Sequence, residues 1–327
     1  MDYNFFYKDE MPLDNWDYSV DLFIAAYNLA EHTKFAYQQI SAKQKLWVIQ
    51  QEYNLSPEDY PVEQCFICNS QGQAEYRETD FVREFLSSGV EDIIDEAKSI
   101  CIDITGFLSP YLMMLVSWLA YKKIKQVDFI FSEPARYQEK GKTKFANSFF
   151  EIRPIGGYHG VQLSTGTEKE MLVIGAGYDN NLIAGVAEYK ASAIKKIQIL
   201  GFPSLKADMY QENILRIDRA SNSIGHSYSE DNTDFFLTPA NDPFATASTL
   251  HNLLTKYSEQ FPDATWYLCP LATKAQALGF CLFYLTECYN KPISIIYPFS
   301  KNYSSLTGWG ISRCWKYTIE FPNLSLT

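Results

Sequence analysis

The chain has 327 residues, enough for two domains or one large one. With 46% hydrophobic and 20% charged residues it has the composition of a globular protein with a packed core, which excludes the disordered and fibrous classes. Its 39 acidic against 28 basic residues give a formal net charge of -11 and count against duplex nucleic acid as a direct partner, because duplex binding draws on Lys and Arg to neutralise phosphates.

Residues 1–17 are acidic and aromatic without a clear period and read as an N-terminal arm. The apolar run 20–26 predicts a buried strand ending in Tyr27-Asn28, and 29–40 has helical spacing. Strands are predicted over 46–50 and 64–69, then an amphipathic helix over 79–96 carrying Phe81, Val82, Phe85 and Leu86. Residues 100–104 form a strand that is apolar except for Asp103. It breaks at Thr105-Gly106, and Pro110 opens a helix over 111–121, since the proline ring suits the first helical turn. The strand 127–131 runs into Ser132-Glu133-Pro134. The polar, glycine-rich stretch 141–168 reads as a connector.

The second half repeats the order. A strand over 171–174 ends in Gly175-Ala176-Gly177-Tyr178-Asp179, followed by a helix over 180–189 and a strand over 197–200. Residues 218–236 read as polar loop, and 243–257 as a helix with Asp242 as its N-cap. A strand over 266–268, a helix over 275–289 and a strand over 293–297 follow, and the alternating run 312–317 reads as a closing edge strand. Alternating strands and helices predict parallel sheets with right-handed crossovers. The expected fold class is α/β: two tandem Rossmann-like parallel-sheet units, 18–140 and 169–327, the second closed by the C-terminal edge strand.

Three short matches in one order point to an internal duplication. Ala26-Tyr27-Asn28 answers to Gly177-Tyr178-Asp179 after the first strand of each half. The elbow 103–110 answers to 269–274 before a late helix. The tail Phe131-Ser132-Glu133-Pro134-Ala135-Arg136-Tyr137 answers to Pro298-Phe299-Ser300-Lys301-Asn302-Tyr303. The alternative is two unrelated α/β halves.

Ligands of open parallel sheets bind beyond the carboxyl ends of the strands, where helix N-termini present free N–H groups and the positive end of a dipole. The candidate ligand-binding residues are therefore Tyr27, Asn28, Thr105, Gly106 and Ser109 in the first half, and Tyr178, Asp179, Thr273 and Lys274 in the second. Thr105 and Ser109 have a second reading as caps of the helix that Pro110 begins. Gly175-Ala176-Gly177 starts like a dinucleotide fingerprint, but Asn180 stands where the third glycine belongs, which counts against a dinucleotide cofactor. Asp103 and Glu133 are the candidate catalytic carboxylates; His32, His159, His226 and His251 belong to no triad motif.

The seven cysteines are odd in number, lie mostly in apolar runs and follow no signal peptide, which fits reduced thiols in the cytoplasm. Cys65 and Cys68 form a CxxC without a second pair at zinc spacing, so no metal and no cofactor are expected. No apolar run reaches bilayer length, so no membrane partner is expected.

The strand–elbow–helix motifs at Thr105-Gly106-Ser109 and Thr273-Lys274, with the strand-end loops Tyr27-Asn28 and Tyr178-Asp179, resemble the CRISPR-associated Rossmann-fold (CARF) domains. They also resemble the SAVED domain, which is like two such units in one chain. The resemblance spans about residues 18–303 and implies binding of a cyclic oligonucleotide at those loops. It implies a place in bacterial antiviral defence. The first elbow departs from the pattern, with Pro110 where the second has Lys274. Three functions stay open: a sensing or regulatory subunit for a nucleotide-like anion that acts through a separate effector, a nucleotide- or nucleoside-processing hydrolase, and a non-catalytic scaffold subunit of a defence complex.

Overall fold

A computed structural model describes residues 3, 6–68, 76–137, 149–161, 169–229, 234–306 and 308–321. Of the expected connector, 141–148 and 162–168 lie outside the described residues. The chain divides into two compact units, one of Phe6–Ser148 with Ser300–Leu324, the other of Phe149–Phe299 with Met1–Phe5 and Ser325–Thr327.

In the first unit the chain forms β1 (Tyr7–Met11), β2 (Ser19–Tyr27), α1 (Glu31–Gln39), β3 (Ser41–Ile49) and β4 (Cys65–Ile67). It continues through α2 (Glu78–Phe85), α3 (Glu91–Glu96), β5 (Ile100–Asp103), α4 (Ser109–Tyr121), β6 (Val127–Glu133) and β7 (Arg136–Tyr137). The second unit holds β8 (Phe149–Pro154), β9 (Lys169–Gly175), α5 (Asn180–Tyr189), β10 (Lys195–Gly201), α6 (Met209–Arg219) and α7 (Ser221–Ile224). Then come β11 (Phe235–Thr238), α8 (Pro243–Ser258), β12 (Ala264–Pro270), α9 (Lys274–Phe283) and β13 (Ile293–Ser300). The chain returns to the first unit with β14 (Gly308–Trp309) and β15 (Arg313–Ile319).

The first sheet has the order β1-β15-β6-β5-β2-β3-β4, and the second β11-β10-β9-β12-β13-β8. The runs β4-β3-β2-β5-β6 and β11-β10-β9-β12-β13 are parallel throughout and place their five strands in the same relative order. In each the connections diverge between the first and fourth strands, β2 and β5 or β9 and β12, which is the topological switch point. Strands buried on both faces need continuous apolar runs. β2 meets this with Phe23, Ile24 and Ala25 at 0% exposure, and β9 with Met171, Leu172, Val173 and Ile174. One face of the first sheet packs Phe23, Ala25, Trp47, Ile49, Cys101 and Ile130 against Ala36 and Tyr37 of α1. In the second, Leu172, Ile174, Leu200 and Cys269 pack against Ile183, Val186 and Ile217.

The C-terminal strand corrects the sequence expectation. It does not close the second unit; β15 lies inside the first sheet, antiparallel to β6 on one side and β1 on the other. It buries Cys314 on one face and Tyr317 and Ile319 on the other, and its register sets Arg313 opposite the buried Glu133. The edge position falls to β1, in the stretch expected as an arm. The polar stretch 218–236 contains the end of α6, α7 and β11 rather than loop alone.

Candidate functional site

The switch point of the second unit is tightly drawn. A Cβ on Gly177, just past β9, would stand 2.0 Å from the Leu271 carbonyl oxygen, so the loops after β9 and β12 touch backbone to backbone. Asp179 caps α5, its Oδ1 accepting the Asn181 and Leu182 N–H groups at 3.0 and 3.3 Å. The Tyr178 hydroxyl donates to the Met209 carbonyl at 3.1 Å, and burial pushes its pKa up. Thr273 caps α9: its Oγ1 accepts the Gln276 N–H at 3.1 Å and donates to the Ala240 carbonyl at 2.5 Å. Gln276 completes the box by accepting the Thr273 N–H at 3.4 Å.

Lys274 is the first residue of α9, and burial pushes its ammonium down to about 8, although the residue keeps partial exposure. In the same unit several buried polar atoms lack partners. Gln276 Nε2 and Thr238 Oγ1 are unpaired on residues only 1% exposed, and Oδ1 of Asn213, a residue 3% exposed whose Nδ2 donates to the Ala176 carbonyl at 3.1 Å, is unpaired too. Thr238 pairs in register with Gly201, and a Cβ on Gly201 would lie 3.7 Å from Gln276 Oε1. Gln276 and Thr238 thus flank one niche where β10 and β11 end, beside the N-terminus of α9. A helix N-terminus, an ammonium and an unpaired amide are donors suited to an anionic group.

The first unit arranges its elbow differently. Gly106 is again a close approach, its added Cβ 2.1 Å from the Ala26 carbonyl oxygen. Asn28 Oδ1 accepts the Ala30 N–H and the Thr33 hydroxyl at 3.0 and 2.8 Å. Asp103 Oδ1 takes both the N–H and the hydroxyl of Thr105, at 2.9 and 2.5 Å, and Thr105 Oγ1 accepts the Ser132 N–H at 2.9 Å. Asp103 is fully buried with Oδ2 unpaired, and burial pushes its carboxyl up to about 7. Neither Thr105 nor Ser109 caps α4. Leu108 is the N-cap residue, and its N–H donates to Gln50 Oε1 at 2.9 Å. The Tyr53 hydroxyl donates to the Gly106 carbonyl at 2.8 Å, and Tyr111 donates to Glu52. The turn after β3 therefore occupies this elbow with the chain's own groups.

Tyr27 is a core residue, edge-on to Trp47 with centroids 5.2 Å apart. Glu133 is fully buried and engaged at both oxygens, accepting from Trp315 Nε1 at 2.6 Å and from Arg313 at 2.9 Å. Burial drives the Cys314 thiol up to about 12, with smaller upward contributions from Asp103 and Glu133. Sequence reasoning missed Gln50, Glu52, Tyr53, Asn213, Thr238 and Gln276. A polar residue closing an apolar run was the available signal for Gln50.

Among the described residues no group of three or more His, Cys, Asp or Glu could hold a metal ion, and no helix is long and apolar enough to cross a membrane. No family model, curated protein or solved structure matches the chain.

Proposed function

We propose that the chain is a sensing or regulatory subunit that binds a small nucleotide-like anion at the carboxyl-terminal edge of its second sheet. The observation that carries the reading is the first turn of α9, which Lys274 opens two residues before Gln276, whose buried Nε2 is unpaired. The first elbow also leaves a buried amide donor unpaired, Gln50 Nε2, but its helix opens on Ser109 rather than a lysine and it carries the buried Asp103, so the reading assigns the anion to the second unit alone.

On the same reading the two units descend from one duplicated Rossmann-like unit, supported by the matching strand order. The CARF- and SAVED-like loops favour a cytoplasmic role in bacterial antiviral defence through a separate effector protein. Calorimetry against linear and cyclic nucleotides tests the site. Binding without turnover, weakened at least tenfold by Lys274→Ala, is the expected result. Undiminished affinity in that variant, or no binding at all, overturns it. Turnover abolished by Asp103→Asn would return the hydrolase reading instead.

A further inference from the structure

After β13 the chain runs back along the carboxyl-terminal side of the first sheet through residues 302–306 and 308–312. Tyr303 N–H donates to the Glu52 carbonyl at 2.7 Å, and Leu29 N–H donates to the Ser305 carbonyl at 3.2 Å. Asn54 Nδ2 donates to Asn302 Oδ1 at 2.9 Å. Further on, Gly310 N–H donates to Glu31 Oε2 at 2.7 Å, Ala135 N–H to the Gly310 carbonyl at 3.3 Å, and Ser312 N–H to the Glu133 carbonyl at 2.9 Å. β14 also pairs antiparallel with β7, setting Gly308 opposite Tyr137 and Trp309 opposite Arg136.

These anchors sit on the loops after β2 and β3, on the first turn of α1 and at the end of β6. What holds the segment is hydrogen bonding rather than burial: of its described residues only Gly308 is buried, and Trp309 is 42% exposed. Segments with few buried apolar contacts and solvent-facing backbone bonds open at the low end of a protein's stability range. The flanking strands differ. β13 buries Ile293, Ile295 and Ile296, and β15 buries Cys314, Tyr317 and Ile319.

We propose that this segment is a latch that opens as one unit while β13 and β15 stay in place. Opening frees the carbonyls of Glu52 and Glu133, the N–H groups of Leu29 and Ala135, and the Glu31 carboxylate.

Native-state hydrogen exchange on the full chain tests it. The amides of Leu29, Ala135, Tyr303 and Ser312 are expected to exchange at one common rate, at least tenfold faster than those of β2 and β5. The double variant Glu31→Ala/Asn54→Gly, in which glycine keeps the positive φ of 50° at position 54, raises that rate about tenfold with the thermal midpoint unchanged. It removes none of the acceptors of those four amides, so the increase reports opening. Restoring an acceptor with Glu31→Gln in the same background brings the rate back towards wild type. Four amides that exchange only with the core, or that respond separately, overturn the latch. A failure to bind nucleotides would leave this result untouched, so the two readings fail independently.

Discussion

At the first turn of α9 the ammonium of Lys274 meets a helix dipole of its own sign, with its pKa already lowered to about 8 by burial. The ligand-free protein therefore loses this charge as pH rises through about 8. Anion affinity is expected to hold below that pH and to fall above it, by up to about tenfold per pH unit. Calorimetric titrations between pH 6 and pH 10, with Lys274→Ala as the flat reference, check it. Asp103 has the opposite bearing on stability. Its carboxyl is raised from 3.8 to about 7, so the folded chain keeps a proton that the unfolded chain has released. Stability from this group is present in full below the lower value and is lost as pH rises to the higher one, by at most about 4 kcal/mol. Asp103→Asn should flatten the urea-unfolding profile over that interval. The sequence exposed Asp103 as an anomaly within an apolar strand. Nothing in it showed that Thr105, the residue expected to meet a ligand, would spend its N–H and hydroxyl on that same carboxylate.

Among the elements, the crossing of the loops after β9 and β12 leaves no room for a methyl group on Gly177. Gly177→Ala should cost about 3 kcal/mol, because the obstructing atom is backbone and the strands on both sides are buried. Thermal unfolding measures it. The pairing of β6 with β15 makes a second case. Arg313→Ala leaves Glu133 fully buried without its cation and should cost about 3 kcal/mol. The double variant Arg313→Ala/Glu133→Gln should recover part of that loss. Elements with strong local signals were legible. The expected helix 180–189 coincides with α5, and Asp242 caps α8 by accepting the Phe244 and Ala245 N–H groups at 3.0 and 2.9 Å. The missed elements had weaker local signals. α6 buries Asn213, Arg216 and Ile217 on a largely polar helix, and β8 is a half-exposed edge strand, so neither shows a clean apolar period. The place of β15 was illegible for another reason. Its alternation announced a strand but carried no information about which sheet it would join.

For the molecule as a whole, an α/β plan with two largely parallel sheets was legible as an order of strands and helices, and the sheets bear that much out. The division of the chain was not, because the first unit is built from two stretches that lie far apart in sequence. Ending the chain at residue 299 would strip β6 and β1 of their shared neighbour. The expected outcome is a first unit that no longer unfolds cooperatively and is cut readily by protease, with the 149–299 unit still resistant. Limited proteolysis with mass mapping of the fragments distinguishes this from a uniformly destabilised chain.

The return of β15 also sets an order of events in time. In the register of β1, Tyr7 stands opposite Thr318, so the N-terminal edge of the sheet waits for residues more than 300 positions later to leave the ribosome. The second unit, drawn almost entirely from the stretch 149–299, is able to finish first, inverting the usual N-to-C progress of domain folding. Until then β6 carries an unpaired edge, a surface prone to wrong pairing. Synthesis stalled before β15 should yield nascent chains protected over 169–299 and open over 18–137, as pulse proteolysis would read.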